Sequence, residues 1–381
     1  MKFLRDRRVR NWTIQFLVIA GMAAVFAVIA VTTVTNLRLR GIPLGFEFLS
    51  MPSGMPIAEA LISYTPASPY SRAILVGVLN TVVVSAIVIV ASSVLGLFLG
   101  IMRLSGNPAI AGIARVWVEI ARNTPLIVIL LFVYGLWSVM PGVAGAFEPV
   151  PGVFVSQRGV ALPAISADIG VAPIAGAVFA LLAALIGASR IAWTIQMRTG
   201  KRPPLVAGVS MLAFGLAIGA YALGWLDIRV EWPAKRRFNF AGGSEISPEF
   251  ATLIVGLVIY TTGFIGEIAR SGILAVKKGY SEAAASLGMR RGQTLRLIVV
   301  PLALRVAVPP LNSQYINVVK NSTLAIAVGY QEFFTIAGTM INRTSHAIEG
   351  IVLILATYLA VNLALSAAMN WYNRRIALVE R

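Results

Sequence analysis

The sequence has no cysteine and one histidine, and only 12% of its 381 residues are charged. Without cysteine, disulfides, iron–sulfur clusters and thiol catalysis are excluded. The single histidine, His346, falls in a predicted outer loop, where a solvated side chain is more common than a metal ligand, so we expect no metal site. A soluble domain carries about twice this charged fraction, which argues against a soluble protein.

Long apolar runs are abundant instead, in a chain that is 58% hydrophobic with a mean hydropathy of +0.82. Continuous runs near 20 residues predict membrane-spanning helices, whereas barrel strands would alternate apolar and polar residues. The predicted fold class is therefore all-α, a polytopic membrane protein. About eight transmembrane helices are expected, at 12–35, 74–101, 111–136, 173–197, 204–224, 250–275, 306–329 and 349–371.

The net charge of +17 does not require a nucleic-acid partner, because Lys and Arg of membrane proteins collect in cytoplasmic loops and contact membrane lipid. If the N-terminus is cytoplasmic, 22 of the 32 Lys and Arg lie in cytoplasmic segments. This asymmetry predicts a multi-pass protein with both termini in the cytoplasm. Lys235-Arg236-Arg237 departs from the pattern, as a basic cluster on the outer side.

The spans and the Pro- and Gly-rich loops divide the chain into four segments. An N-terminal span and an outer loop occupy 1–73, and the first part of the membrane core occupies 74–139. The segment 140–245 is predicted to be an insertion of outer loops and a helical hairpin, since its removal leaves six spans with unchanged orientation. The second part of the core, 246–381, contains a basic loop at 276–305.

The most informative stretch, residues 282–301, lies in this basic loop. Ser281 is expected to cap a short helix whose positive end suits Glu282, and alanines such as Ala283 and Ala284 leave room for a partner surface. Gly288 is placed to end that helix. From these properties alone, a docking helix and a plain loop helix are equally good interpretations.

A second candidate site is the sequence Lys320, Asn321, Ser322 and Thr323, within the seventh predicted span. Pro309 and Pro310 are expected to break that span's helix, which would put Lys320 near the middle of the membrane. Placing a charged side chain at the centre of the membrane costs about 2.5–3.5 kcal/mol of insertion free energy, so such a residue usually has a functional or structural role. A buried ammonium could bind a carboxylate, or it could pair with another helix or a partner subunit, and the second explanation is favoured.

Two further charged sets lie near the inner ends of spans. Glu267 and Arg270 are three residues apart and can pair on one helix face, and Arg115, Glu119 and Arg122 repeat the pattern. Ion pairing within each helix is the favoured interpretation, and a charged gate along a pathway is the alternative.

Asn123, Thr124 and Pro125 follow Arg122 directly, and the proline should kink the third span. The sequence contains no Gly-x4-Gly-Lys-Ser/Thr loop for nucleotide phosphates and no nucleophile–base constellation. No catalytic residue is therefore predicted, and if ATP drives this protein, ATP and magnesium must bind to another chain.

The motif around Glu282 resembles the EAA motif of ABC importer permeases, with Glu282, Ala283, Ala284, Gly288 and Pro301 on the expected spacing. Three further segments, at 122–128, 267–273 and 320–324, resemble those of polar-amino-acid permeases, although Ile129 replaces the usual glutamine. Over nearly its whole length the chain is similar to the longer-loop permeases of general L-amino-acid and glutamate/glutamine/aspartate/asparagine importers.

The resemblance implies a type I ABC permease fold in the bacterial inner membrane, with a cytoplasmic coupling helix. The implied partners are a second permease subunit, two ATPase subunits and a periplasmic amino-acid-binding protein. Glu282, Ala283, Ala284 and Gly288 would couple to the ATPase. The implied pathway or gate residues are Lys320, Asn321, Ser322, Thr323, Thr124, Glu267, Arg270 and Arg122. An ion-coupled amino-acid transporter, which needs no ATPase, is the alternative function.

Overall fold

A computed structural model describes residues 7–39, 41, 44–167, most of 180–196, 203–222 and 228–376. The helices in these ranges are α1 (Arg7–Leu39), α2 (Tyr70–Met102), α3 (Pro108–Asn123), α4 (Leu126–Ser138), α5 (Leu205–Ala222), α6 (Pro248–Leu274), α7 (Lys278–Ser286), α8 (Arg291–Thr294), α9 (Val300–Asn321), α10 (Phe333–Thr344) and α11 (Ala347–Ile376). A π-helix, Leu295–Val299, joins α8 to α9, and a 3-10 helix, Ser322–Ala327, follows α9.

Within the described residues, five helical segments are long and apolar enough to cross a membrane, at Asn11–Asn36, Tyr70–Met102, Pro248–Leu274, Arg291–Ala327 and Ala347–Arg374. The pair α3 and α4 makes a sixth candidate, but the two helices meet at 106°. The predicted fifth span corresponds to α5. About half of the predicted fourth span, 173–197, lies outside the described residues, and its described part within 180–196 is helical. The predicted membrane-spanning helical fold is therefore present.

Two expectations about prolines need correction. The bend at Pro125 is much sharper than a kinked single span, since α3 ends at Asn123 and α4 begins at Leu126. By contrast, Pro309 and Pro310 do not break their helix, because α9 continues through both to Asn321. Helices in membranes tolerate proline where neighbouring groups satisfy the carbonyls that lose their donors.

The chain forms two compact units, one of Met1–Val133 with Thr252–Arg381 and one of Tyr134–Ala251. In the first unit, α10 packs against α2 and α11. Gly77 allows this approach, since a Cβ atom there would lie 2.8 Å from Cα of Phe333. The outer loop before α2 is ordered by backbone bonds such as that from Gly54 N to Pro66 O (2.9 Å).

The second unit contains strands that the sequence analysis did not predict: β1 (Phe147–Val150), β2 (Val153–Ser156), β3 (Gly159–Leu162), β4 (Ala164–Ala167), β5 (Ile228–Glu231), β6 (Ala234–Lys235), β7 (Phe240–Ala241) and β8 (Ser244–Ile246). They form an antiparallel sheet in the order β1-β2-β3-β8, a two-stranded antiparallel sheet of β4 with β5, and a hairpin of β6 with β7. Their apolar core is Val143, Ala146, Phe154, Ala161 and Phe240. Strands of two to four residues are too short to produce a clear alternating pattern.

Candidate functional site

The predicted docking helix exists as α7, a nine-residue helix between the apolar segments α6 and α9. It begins at Lys278, so the expected cap at Ser281 is wrong and Glu282 is its fifth residue. The first turn is closed by the backbone, with Tyr280 N donating to Lys277 O (3.1 Å) and no side-chain cap. A capping side chain contributes only about 1 kcal/mol, which the surrounding chain can override.

The C-terminal end of α7 has a Schellman motif centred on Gly288. The amide of Gly288 donates to Ala285 O (2.9 Å) and the amide of Met289 donates to Ala284 O (3.1 Å). Gly288 has φ +74°, a left-handed conformation that favours glycine. The predicted role of Gly288 in ending the helix is therefore confirmed.

One side of α7 presents exposed apolar side chains. Tyr280, Ala283 and Leu287, spaced three and four apart, are exposed, and Leu287 is 82% exposed. Ala284, next to this stripe, is buried against the chain, whereas Glu282 is exposed on the opposite side. A half-exposed Tyr and a largely exposed Leu along a short helix form the kind of surface that a partner protein covers.

The connection from α7 to α9 is helical almost throughout. In α8, Gln293 Oε1 accepts from the amide of Arg290 (2.9 Å), and the π-helix follows at once. Pro301 is the second residue of α9. Since proline has no N–H to donate one turn back, it accounts for the irregular π-helix just before it.

Charged residues meet where α2 approaches α6. Glu267 accepts from Arg270, with Nη2 to Oε1 at 2.6 Å, and this confirms their predicted pairing. Glu267 is also ion-paired with Arg103, the residue that follows α2. The sequence analysis missed Arg103 as a partner.

The glycines of α2 are the sequence feature that could have indicated that Arg103 lies close to Glu267. A Cβ atom at Gly100 would lie 2.8 Å from Gly266 O and 2.7 Å from the Ala269 Cβ, so only glycine permits this spacing. The close contact of α2 with α6 at Gly100 sets Arg103, one turn further along, beside Glu267.

The second charged set does not form the expected ion pairs. Glu119 accepts from the side-chain amide of Asn123 (3.1 Å), and the Arg122 guanidinium lies over the Phe264 ring at 5.6 Å. Phe264 is one turn before Glu267 on α6, so Arg122 neighbours the charged cluster without joining it. Thr124 caps the end of α3 at the sharp bend, with its amide donating to Ile120 O (3.1 Å).

The predicted pathway residues at 320–323 lie at the end of α9. Lys320 is exposed on the single chain, so the burial predicted for its ammonium, in the membrane or against a partner subunit, stays a prediction. Ser322 is fully buried and donates to Val319 O (2.8 Å), while Thr323 donates to Lys320 O (2.7 Å). In the described part of the chain, no hydrogen bond or ion pair connects Lys320 to Glu267.

A buried carboxyl group that the sequence analysis did not identify lies nearby in the chain. Glu332 is fully buried and accepts from Thr81 Oγ1 (3.0 Å), Tyr358 hydroxyl (2.8 Å) and the amide of Thr335 (2.9 Å). It thereby joins α2, α10 and α11. Burial raises the pKa of the Glu332 carboxyl, and the hydrogen bonds that it accepts act in the opposite direction. Its position just after a predicted span was the only available signal.

Comparison with known proteins adds to this geometry. Residues 92–378 match the family described as "Binding-protein-dependent transport system inner membrane component". The chain is 40% identical to the putative amino-acid ABC transporter permease protein YhdX of Escherichia coli (strain K12), over 98% of this chain and 95% of that one. Identity is 37% to the general L-amino acid transport system permease protein AapQ of Rhizobium johnstonii, over 99% and 94% of the two chains. It is 34% to the glutamate/glutamine/aspartate/asparagine transport system permease protein BztB of Rhodobacter capsulatus, over 99% and 96%.

Proposed function

This chain belongs to the family of binding-protein-dependent transport system inner membrane components, and we propose that it is the permease subunit of an ATP-driven importer of L-amino acids. The membrane-spanning helices have the type I permease fold of that family. Three relatives that are 34–40% identical over nearly the whole chain are named as amino-acid permeases, and this supports the substrate class. No observation favours the ion-coupled alternative.

The observation that carries the proposal is the exposed apolar side of α7. A docking groove on an ATPase would cover Tyr280, Ala283 and Leu287, and Glu282 would contact its rim. Ala284 would hold α7 to its own chain, so that movement of the ATPase reaches α9 through α8 and the π-helix. Gly288 would fix the angle at which the chain leaves α7.

The proposed assembly contains a second permease subunit, two ATPase subunits that bind ATP and magnesium, and a periplasmic binding protein that delivers the amino acid. Both termini of this chain would be cytoplasmic. Lys320, Asn321 and Thr323 would face the pathway that the two permeases share, which gives the exposed Lys320 side chain a polar partner or substrate. The buried Ser322 would support them through its bond to Val319 O. Thr124, Arg122, Glu267 and Arg270 would act at the inner gate.

Co-purification from native membranes tests this function. The tagged chain should recover an ATPase, and Leu287→Asp should remove most of that ATPase while leaving the permease in the membrane. Leu61→Asp is the matched control, because Leu61 is also exposed (52%) but lies in the outer loop. Recovery of the chain without an ATPase, together with uptake that depends only on an ion gradient, would contradict the proposal.

A further inference from the structure

The basic cluster that departs from the charge asymmetry of the chain lies at the end of a hairpin in the second unit. Strands β6 and β7 are joined by a turn in which the amide of Arg236 donates to Asn239 O (2.8 Å). Residues Arg236–Asn239, here called the hairpin tip, are all exposed. The tip therefore presents two consecutive arginines and Phe238 to the surroundings.

Only the first of the three basic residues is accounted for by the fold. Lys235 Nζ donates to Ala146 O (2.9 Å) and lies 4.7 Å from the centre of the Phe154 ring, so it anchors the hairpin to the apolar core of this unit. In the part of the chain that the structure describes, Arg236 and Arg237 have no carboxylate partner. Among the described residues of this unit, the two arginine charges are therefore not neutralised.

Two arginines contact Phe238, one at its exposed ring and one at its backbone carbonyl. The Arg237 guanidinium lies over the Phe238 ring at 5.2 Å, and Arg158 Nη1 donates to Phe238 O (3.3 Å), while the Phe238 side chain is 73% exposed. Trp232, just before the hairpin, is 59% exposed and lies over Gly152. Arginine and aromatic side chains are the residue types enriched at protein–protein contacts that dominate binding energy.

Anionic lipid does not explain this cluster. Acidic lipids give the cytoplasmic leaflet its negative potential, and Lys and Arg accordingly favour that side. The orientation predicted from the other Lys and Arg residues of the chain puts 236–237 on the outer side instead. A carboxylate surface fits better, because the planar guanidinium group can bind a carboxylate through two parallel hydrogen bonds.

We propose that the hairpin tip docks on an acidic surface of the soluble protein that delivers the amino acid on the outer side. This inference rests on the proposed function and names one of its contact points. Arg236, Arg237 and Arg158 would attract the carboxylates, and Phe238 would be covered in the contact. The negative charge would be supplied by the partner, since none pairs with Arg236 or Arg237 in the described part of this chain.

The test uses the complete transporter in nanodiscs of neutral phosphatidylcholine, with ATP hydrolysis measured against the concentration of the system's own amino-acid-loaded binding protein. Arg236→Glu with Arg237→Glu should raise the half-stimulating concentration about tenfold, because charge complementarity mainly sets the association rate. The dependence of that concentration on salt should also become weaker. Hydrolysis without binding protein should not change. Arg236→Lys with Arg237→Lys, which keeps the charge, is the matched control and should shift the value far less.

Two results would overturn the inference. One is an unchanged half-stimulating concentration in the Glu variant. The other is an effect that arises only when anionic lipid is added to the nanodiscs and does not depend on the binding protein, which would identify lipid as the partner. Failure of the proposed function is distinct from both, because the unmodified complex would then show no stimulation by any binding protein.

Discussion

Glu267 of α6 is ion-paired with Arg103, at the end of α2, and with Arg270 one turn along its own helix. The three side chains are partly buried, with 13% of the Arg103 side chain exposed. One carboxylate therefore fixes two guanidinium groups and ties two membrane-spanning helices together at one end. At this level, any movement of α6 must either carry the end of α2 with it or break this pair.

Arg103→Ala is expected to destabilise the permease. It leaves Glu267 with one partner in a partly buried place, and the loss should be about 1–3 kcal/mol, which would appear as a lower Tm of the detergent-solubilised protein. Arg122→Ala is the control. Among the described residues, the interaction of the Arg122 guanidinium is with the Phe264 ring, and its loss should cost less than about 1 kcal/mol. Equal Tm values for the two variants would argue against a structural role of Arg103.

The amino-acid uptake of Gly288 variants should follow how readily the new residue adopts a positive φ angle. A Cβ atom at Gly288 would meet nothing within 4 Å, so the backbone conformation alone decides the cost. Gly288→Asn should retain most amino-acid uptake, whereas Gly288→Val should lose most of it at normal abundance, because left-handed backbone costs a β-branched residue more. Uptake that falls equally in both variants would show that the side chain and not the φ angle matters.

Lys320→Gln is expected to reduce uptake without changing stability. Since Lys320 is exposed on the single chain, its removal breaks no contact of the fold, and the Tm of the isolated subunit should stay the same. Uptake by the assembled transporter should fall at least about tenfold if this charge lies in the pathway. Full uptake by Lys320→Gln, with an unchanged affinity for the amino acid, would remove it from the pathway residues.

Glu332→Leu should be among the most damaging changes in the chain. It would leave the Tyr358 hydroxyl and the Thr335 amide without the Glu332 acceptor, at about 1–3 kcal/mol for each buried group left unpaired. Thr81 Oγ1 would keep its second acceptor, Gly77 O (3.1 Å). Glu332→Gln keeps one acceptor oxygen and should cost much less. The measurement is the amount of folded protein and its Tm, with Glu47→Leu, at an exposed position, as the control.

The helical membrane class, the place of most spans and the short helix at 278–286 could be predicted because apolar run length and helix-ending glycine act locally along the chain. The same holds for the pair Glu267 and Arg270, which are neighbours on one helix face. The small strands of the second unit could not be predicted, because their stability comes from pairing between distant segments, as in β3 with β8.

The sequence by itself determined the family, the membrane-spanning character and the exposed helix that we propose meets an ATPase, since motif spacing and apolar runs are properties of consecutive residues. Only the tertiary structure decided that Arg103 meets Glu267, that Glu332 joins three helices, and that Lys235 anchors a hairpin whose arginines remain exposed. These relationships depend on how closely distant segments approach each other. That distance is set by packing, such as the glycine contact of α2 with α6, and not by spacing along the chain.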